Sequence, residues 1–375
     1  MQKEPRVSKY LHMKGRKLGL PIGGTFELTP RCNFNCKMCY VHLTEEEQKK
    51  RGRELTTEEW LTIGKEAKDA GMVFLLLTGG EPALRPDFPE LFHKLKEMGL
   101  MVSINSNGFL LEGKLLELFR EDPPTRINIS LYGTSNETYE RQCGVPAYDR
   151  VIRNIRALRE AGIDVKVNMS VTPANRQDMQ SVYETARELQ IHTQATPYMF
   201  PPVRLHPDMC GQNFRMDAEE AGRLQAQYDF FRCTREQFLL RIQALQDRVS
   251  PDAHSEEECG DVVGEGVHCR AGITTFWIDW DGKMLPCGQM VEPAVDVLQL
   301  GFAEAWRQTK ANVAEIRLPP ECIKCDIKEI CHACAAMCYC ETGSFCGKPE
   351  YICQMKQSYI NAMMQYWQTE YGGEL

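Results

Sequence analysis

Three cysteines stand at C-x3-C-x2-C spacing in the stretch PRCNFNCKMCYVH (residues 30–42): Cys32, Cys36 and Cys39. Thiolates this close on one loop form a ligand set for a soft metal centre. A zinc ribbon needs two paired knuckles, and a ferredoxin-type run needs a fourth cysteine nearby. Neither is here, and no fourth Cys or His sits at a natural spacing. The loop stops one ligand short.

A second concentration lies at the other end. Of the 17 cysteines only Cys143, Cys210 and Cys233 fall between residues 40 and 258, and eleven crowd into 259–353. That tail reads Cys269-x12-Gly282-x4-Cys287, then Cys322-x2-Cys325-x5-Cys331-x2-Cys334-x3-Cys338-x-Cys340-x5-Cys346-x6-Cys353. In an oxidising compartment such density would mean disulfides; in a reducing one it means metal or redox chemistry. Two cysteine-rich ends around a cysteine-poor body imply at least two sites. Taken alone, the CxxC pairs of the tail also fit structural zinc. Cys143 and Cys233 read as structural or core residues, since a buried cysteine behaves as a small hydrophobe.

The elements that must position these thiols repeat with a period near thirty residues between about 25 and 200. TFELTP, MVFLLLTG, MVSINSNG, TRINISLYG, DVKVNMSVT and IHTQATPYMF are strand-like. Amphipathic helical stretches separate them, the first opened by a capping box at Thr56 and Glu59. Six β-α units predict a parallel sheet with right-handed crossovers, a partial (βα)6 TIM-like barrel. In such folds chemistry sits where the strands end. Here the strands end in the cysteine loop, TGGEP, NSNG, SLYG and VTPAN. Gly, Asn and Pro are also ordinary turn formers, which would explain any one of these loops but explains five on one rim less well. Residues 213–248 predict one or two amphipathic helices, and the polar 249–266 stretch a linker. FWIDWDGKMLPCGQM predicts a β-hairpin turning at Asp281-Gly282.

C-x3-C-x2-C after the first strand of a βα barrel resembles the radical S-adenosylmethionine (SAM) superfamily. The resemblance extends to Thr78-Gly79-Gly80-Glu81-Pro82 after the second strand, which is similar to that superfamily's GGEP motif. It implies a [4Fe–4S] cluster on Cys32, Cys36 and Cys39, with the fourth iron taking the amino and carboxylate groups of SAM. It implies further cosubstrate contacts: Met38 and Tyr40 along the adenine, Thr78, Gly79, Gly80, Glu81 and Pro82 at the methionine amino group, and Asn105, Ser106, Asn107 and Ser130 at ribose and carboxylate. Arg141 is a candidate carboxylate partner or a solvated helix residue. The resemblance implies reductive cleavage of SAM to a 5′-deoxyadenosyl radical that abstracts a substrate hydrogen. No residue of the chain is singled out as a catalytic acid or base.

The tail resembles the SPASM extension, which carries two auxiliary iron–sulfur clusters, expected to be [4Fe–4S]. The implied ligands are Cys322, Cys325, Cys331 and Cys353 for one cluster, and Cys269, Cys287 and Cys334 for the other. The family spacing calls for cysteine at position 335, which is Ala; Cys334 comes one residue early. A fourth ligand of the second cluster is left open among Cys259, Cys338 and Cys340, or that iron stays open to substrate. The role of Cys346 is left open. The expected organisation is an N-terminal extension (1–24), the partial barrel (25–212), a helical linker region (213–265), a small Cys-rich α+β auxiliary-cluster domain (266–355) and a C-terminal helix and tail (356–375).

Known SPASM enzymes mostly modify ribosomally made peptides through thioethers, carbon–carbon crosslinks or epimerisation, so a peptide maturase is the expectation. A haem-modifying or other small-molecule-modifying relative is the alternative, and a non-catalytic electron-transfer protein a remoter one. Sulfatase maturases usually have Asp after the hairpin cysteine, and Gly288 stands there. About 24 residues precede strand 1, too few for a leader-binding domain, so peptide recognition would need a separate leader-peptide-binding protein or a groove of the enzyme, beside a flavodoxin or ferredoxin reductant. A net charge of −8 argues against nucleic acid. The start lacks a signal-peptide core, and no stretch is apolar enough to span a membrane, which points to the cytoplasm.

Overall fold

The computed structural model describes residues 7–249 and 265–374. Cys259 and most of the expected linker lie outside them. All six expected strands are present: β1 (Gly23–Glu27), β2 (Phe74–Thr78), β3 (Met101–Ser106), β4 (Arg126–Ser130), β5 (Val165–Ser170) and β6 (His192–Thr196). Three more, β7 (Thr275–Ile278), β8 (Lys283–Leu285) and β9 (Val295–Asp296), follow in the tail. The chain forms two compact units. The first holds Met1–Leu131, Ser135–Val167 and Cys269–Glu315; the second holds Tyr132–Thr134, Asn168–His268 and Ile316–Leu375.

In the first unit the hydrogen-bonded strand order is β4-β3-β2-β1-β7-β8-β9, and β5 and β6 continue the order beyond β4. Strands β1 to β4 pair in parallel, with Gly23 opposite Phe74 and Leu76 opposite Ser103. This is the parallel sheet of a partial TIM-like barrel. Alternation sets its faces. Val102 and Ile104 of β3, and Ile127 and Ile129 of β4, are fully buried under the helices. Ser103, Asn105, Asn128 and Ser130 point the other way and are half-buried. The helix Thr57–Asp69 starts at the predicted capping box, where Thr56 accepts from Glu59 N–H and Glu59 reaches back. It places Trp60 against Phe26 at 4.8 Å between ring centroids.

The predicted hairpin forms between β7 and β8, its turn closed by the Gly282 N–H on Asp279 O at 3.0 Å with Gly282 at φ +93°. Its placement was not foreseen. β7 lies parallel to β1, with Gly23 opposite Thr275 and Phe26 opposite Ile278, so the tail extends the sheet on its β1 side.

The second unit has a helical core. The segment 213–248 makes two helices, Ala218–Arg232 and Arg235–Gln246, and the first runs along Glu350–Tyr371. Gly222 permits the approach, since a Cβ there would meet Met355 O at 2.3 Å. Phe238, Ile242, Leu245, Tyr359 and Met363 form the cluster between them, with Cys233 packed at its edge. Cys143, in the first unit, is buried at the end of the helix Asn136–Cys143.

Candidate functional site

The cysteine loop leaves β1 and is tied to β2 by backbone alone. Gly80 N–H donates to Thr29 O at 2.7 Å and Glu81 N–H to Arg31 O at 2.9 Å. A Cβ on Gly79 would lie 2.5 Å from Thr29 O, and one on Gly80 2.4 Å from Arg31 O. The two glycines therefore serve a strand-to-loop contact inside the protein. Leu43 N–H closes the base of the loop on Pro30 O at 3.1 Å, and Arg31 is fixed by a two-pronged pair with Glu54 at 2.8 and 2.9 Å.

Within the loop, Phe34 N–H donates to Cys32 Sγ at 3.4 Å and His42 N–H to Cys39 Sγ at 3.3 Å. Cys32, Cys36 and Cys39 lie within electrostatic reach of one another. Burial pushes the Cys32 thiol up to about 12 and the Cys39 thiol up to about 11, with the neighbouring sulfurs adding to both. As free groups they hold their protons; a cationic centre is what would draw them into thiolate form. Met38 is buried, its Sδ accepting from Gln142 Nε2 at 3.0 Å, and Tyr40 is half-buried.

Glu81 is enclosed at the end of β2. Its Oε1 accepts from Ala83 N–H at 3.1 Å and Ser106 Oγ at 2.9 Å, and its Oε2 from Asn107 N–H at 2.7 Å. Burial pushes this carboxyl up to about 7, and the donors only partly offset it. Pro82 opens the short 3-10 turn Pro82–Leu84, and Thr78 is buried at the strand end. Asn107 bridges the two motifs: its Nδ2 reaches Cys32 Sγ at 3.7 Å and Asn33 Oδ1 at 2.8 Å. Asn105 turns to the other face and accepts from Asn128 Nδ2 at 2.8 Å. Ser130 ends β4, its carbonyl accepting from Tyr139 Oη at 3.4 Å. Arg141 is partly exposed and pairs with Glu137 at 3.4 Å.

Sequence reasoning missed Glu27 and Trp277. Glu27 is fully buried at the end of β1 and accepts from Trp277 Nε1 of β7 at 2.9 Å. An acidic residue closing an apolar strand was the available signal. Trp277 also explains Gly288, where a Cβ would stand 2.8 Å from its indole. An Asp there has no room.

In the second unit Cys322 lies within electrostatic reach of Cys353, Cys331 and Cys325, and burial with these neighbours pushes its thiol up to about 11. The four implied ligands of one auxiliary cluster are thus one neighbourhood, to which Cys334 and Cys338 also belong. Cys269 and Cys287 fall in the first unit, and Cys334 in the second. Among the described residues no three His, Cys, Asp or Glu side chains converge so as to grip a single metal ion. No helix among them is long and apolar enough to cross a membrane.

Comparison with known proteins agrees with this arrangement. The radical SAM superfamily model matches residues 26–186, from β1 through the cysteine loop to the fifth β-α unit. A probable GTP 3′,8-cyclase of Saccharolobus solfataricus is 30% identical over 278 residues, covering 73% of this chain and 84% of that protein. The chain belongs to the radical SAM superfamily. An AdoMet-dependent heme synthase of Methanosarcina barkeri is 27% identical over 344 residues, spanning 87% of this radical SAM chain and 94% of the relative. Among solved structures, Streptococcus suis SuiB bound to S-adenosylmethionine superposes with TM-score 0.66 at 18% identity, over 91% of this chain and 80% of that one. AnSMEcpe with bound AdoMet gives 0.67 at 15% identity, over 94% and 100%. Both share the fold. A radical SAM enzyme works with a [4Fe–4S] cluster and SAM, and the Cys-rich C-terminal region of this one resembles the SPASM extension.

Proposed function

We propose that this radical SAM enzyme abstracts a hydrogen atom from a ribosomally made peptide. The single observation that carries the radical chemistry is the joined pair of motifs: a three-cysteine loop bonded through backbone to Gly80-Glu81, with Asn107 touching both. The donor set fits the cluster, because three neighbouring thiols on one loop leave one iron for SAM. Cys32, Cys36 and Cys39 would hold it. Thr78, Gly79, Gly80, Glu81 and Pro82, with Met38, Tyr40, Asn105, Ser106, Asn107 and Ser130, would line SAM. When bound, the cluster supplies the electron that cleaves the sulfonium of SAM and so generates the hydrogen-abstracting 5′-deoxyadenosyl radical.

The chain's own residues hold and shield. Glu81 fixes the ends of β2 and β3 through Ser106 and Asn107. Phe34, packed edge-on to Phe109 and Tyr139, keeps water from the loop's inner side. Cys322, Cys325, Cys331 and Cys353 would hold one auxiliary cluster, with Cys269, Cys287 and Cys334 serving another. A flavodoxin or ferredoxin would deliver electrons in a reducing cytoplasm, and a separate protein or a groove of the enzyme would hold the leader peptide.

A peptide substrate draws support from the SuiB structure bound to precursor peptide SuiA, which shares this fold. The absence of room for Asp at position 288 counts against sulfatase-type maturation. A porphyrin substrate is the second reading, favoured by the heme synthase relative that matches over 94% of its length. Anaerobically reconstituted protein with dithionite and SAM is expected to form 5′-deoxyadenosine, and Cys36→Ala to abolish it; formation undiminished in Cys36→Ala sinks the radical reading. Peptides encoded beside the gene should raise that yield over the substrate-free rate. A rise with a haem-precursor porphyrin and none with the peptides transfers the assignment to the second reading.

A further inference from the structure

The cysteine loop occupies one end of the sheet. At the other end, where β1 to β4 begin, the first unit holds a cavity of about 570 Å³, large enough for a small organic group. It lies on the face away from the helices, with Thr25, Ser103 and Asn128 among its lining. Four residue steps along β1, from Gly23 to Glu27, separate the level of this cavity from the strand end that carries the loop, about 13 Å. The helix Val7–Leu18 contributes Ser8 and His12. His12 is buried, its ring stacked on Phe74 at 6.2 Å between centroids and its Nδ1 2.9 Å from Thr274 Oγ1. Met101, Arg126 and Asp164 are exposed, so the cavity opens to solvent where β3 and β4 start.

The donors at this opening are only partly used. Arg126 Nε donates to Asp164 Oδ2 at 2.7 Å, and its two Nη groups make no hydrogen bond among the described residues. The side-chain hydroxyls of Thr25 and Ser103 make none there either. The ionised lining residues are Arg126, Asp164 and Arg270, which leaves one positive charge in excess. Two neighbours register that field. Burial and then Arg270 push the His12 pKa down to about 4, and burial and then Arg126 lower that of Lys166 on β5. Added positive charge is disfavoured here, and one carboxylate would balance the excess. The planar guanidinium edge of Arg126 suits a carboxylate, and the apolar lip at Met101 suits the carbon chain behind it.

We propose that this cavity is a subsite for a carboxylate of the substrate, held by Arg126 and Arg270 at the end of the barrel opposite the cysteine loop. It rests on the reading of the chain as a radical SAM enzyme acting on a peptide or a porphyrin, either of which can supply the carboxylate. Full-length protein reconstituted anaerobically is titrated by calorimetry with glutarate, with its uncharged counterpart glutaramide, and with inorganic phosphate. Glutarate is expected to bind saturably and glutaramide not at all. Arg126→Gln should weaken glutarate about tenfold or more. Asp164→Asn should tighten it by freeing the guanidinium, and Arg53→Gln, on the surface with Glu59, should match the parent. Opposite signs at positions 126 and 164 separate a ligand contact from a loss of folding. Glutarate bound no better than glutaramide, or more weakly than phosphate, or equally in all three variants, overturns the site. In turnover, each peptide is paired with a version whose carboxylates are amides, and the porphyrin with its methyl ester. A 5′-deoxyadenosine yield lowered in one pair names the source of the carboxylate; equal yields within both pairs overturn the substrate role. Substrate-free 5′-deoxyadenosine formation by the parent protein judges the radical reading separately, since the titrations need no turnover.

Discussion

Glu81 is a carboxyl enclosed by its own chain, and its burial makes a pH-dependent statement about stability. Without SAM or iron, its folded value near 7 lies above the ordinary 4.5. Between those values the folded protein keeps a proton that the unfolded chain has released. Stability therefore falls as pH rises through that window and is insensitive to this group below it. Glu81→Gln should flatten the limb between about pH 4.5 and 7 in urea titrations of the iron-free protein. It should also cost ~1–3 kcal/mol, because one of the Ala83 and Asn107 N–H groups loses its acceptor. A slope unchanged in the variant would mean that another group titrates there. At this scale the sequence was legible where type and spacing coincide, as at Cys32, Cys36, Cys39 and Glu81. It was silent on Asn107 reaching Cys32 and on Trp277 reaching Glu27, because a side chain's partner across the fold leaves no mark on its own neighbours in sequence.

Between elements, the junction of the cysteine loop with the end of β2 depends on two missing side chains. Gly80→Ala sets a carbon 2.4 Å from Arg31 O, where neither backbone can retreat without breaking a hydrogen bond. A cost of ~1–3 kcal/mol is expected, with loss of 5′-deoxyadenosine formation out of proportion to it; chemical denaturation and product assay together check this. All six strands were readable because each is an apolar run closed by turn residues, and the hairpin because Asp281-Gly282 marks its turn. The pairing of β7 with β1 was not, since partners some 250 positions apart share no periodicity. For the same reason the cysteine spacing pointed to metal chemistry in the tail without saying which thiols come together in the fold.

For the whole molecule, stability is unevenly distributed. The second unit contains a packed helical core around Phe238 and Met363, and beside it two four-residue helices, Pro320–Ile323 and Lys328–Cys331, neither with a side-chain cap. Helices that short do not persist by themselves. Iron bound to Cys322, Cys325 and Cys331 would hold them, so chelating the metal should raise hydrogen exchange across 320–340 while 218–232 and 355–370 keep their protection. Equal exchange with and without iron in 320–340 would remove that support. The parallel seam of β1 and β7 has a consequence in time. During synthesis β1 emerges early and can pair with β2, yet its other edge stays open until the ribosome has made residue 278. The loop with Cys32, Cys36 and Cys39 grows from that half-covered strand. Loading of its metal thus belongs to the finished chain, and truncated products would expose a bare strand edge beside three unoccupied cysteines.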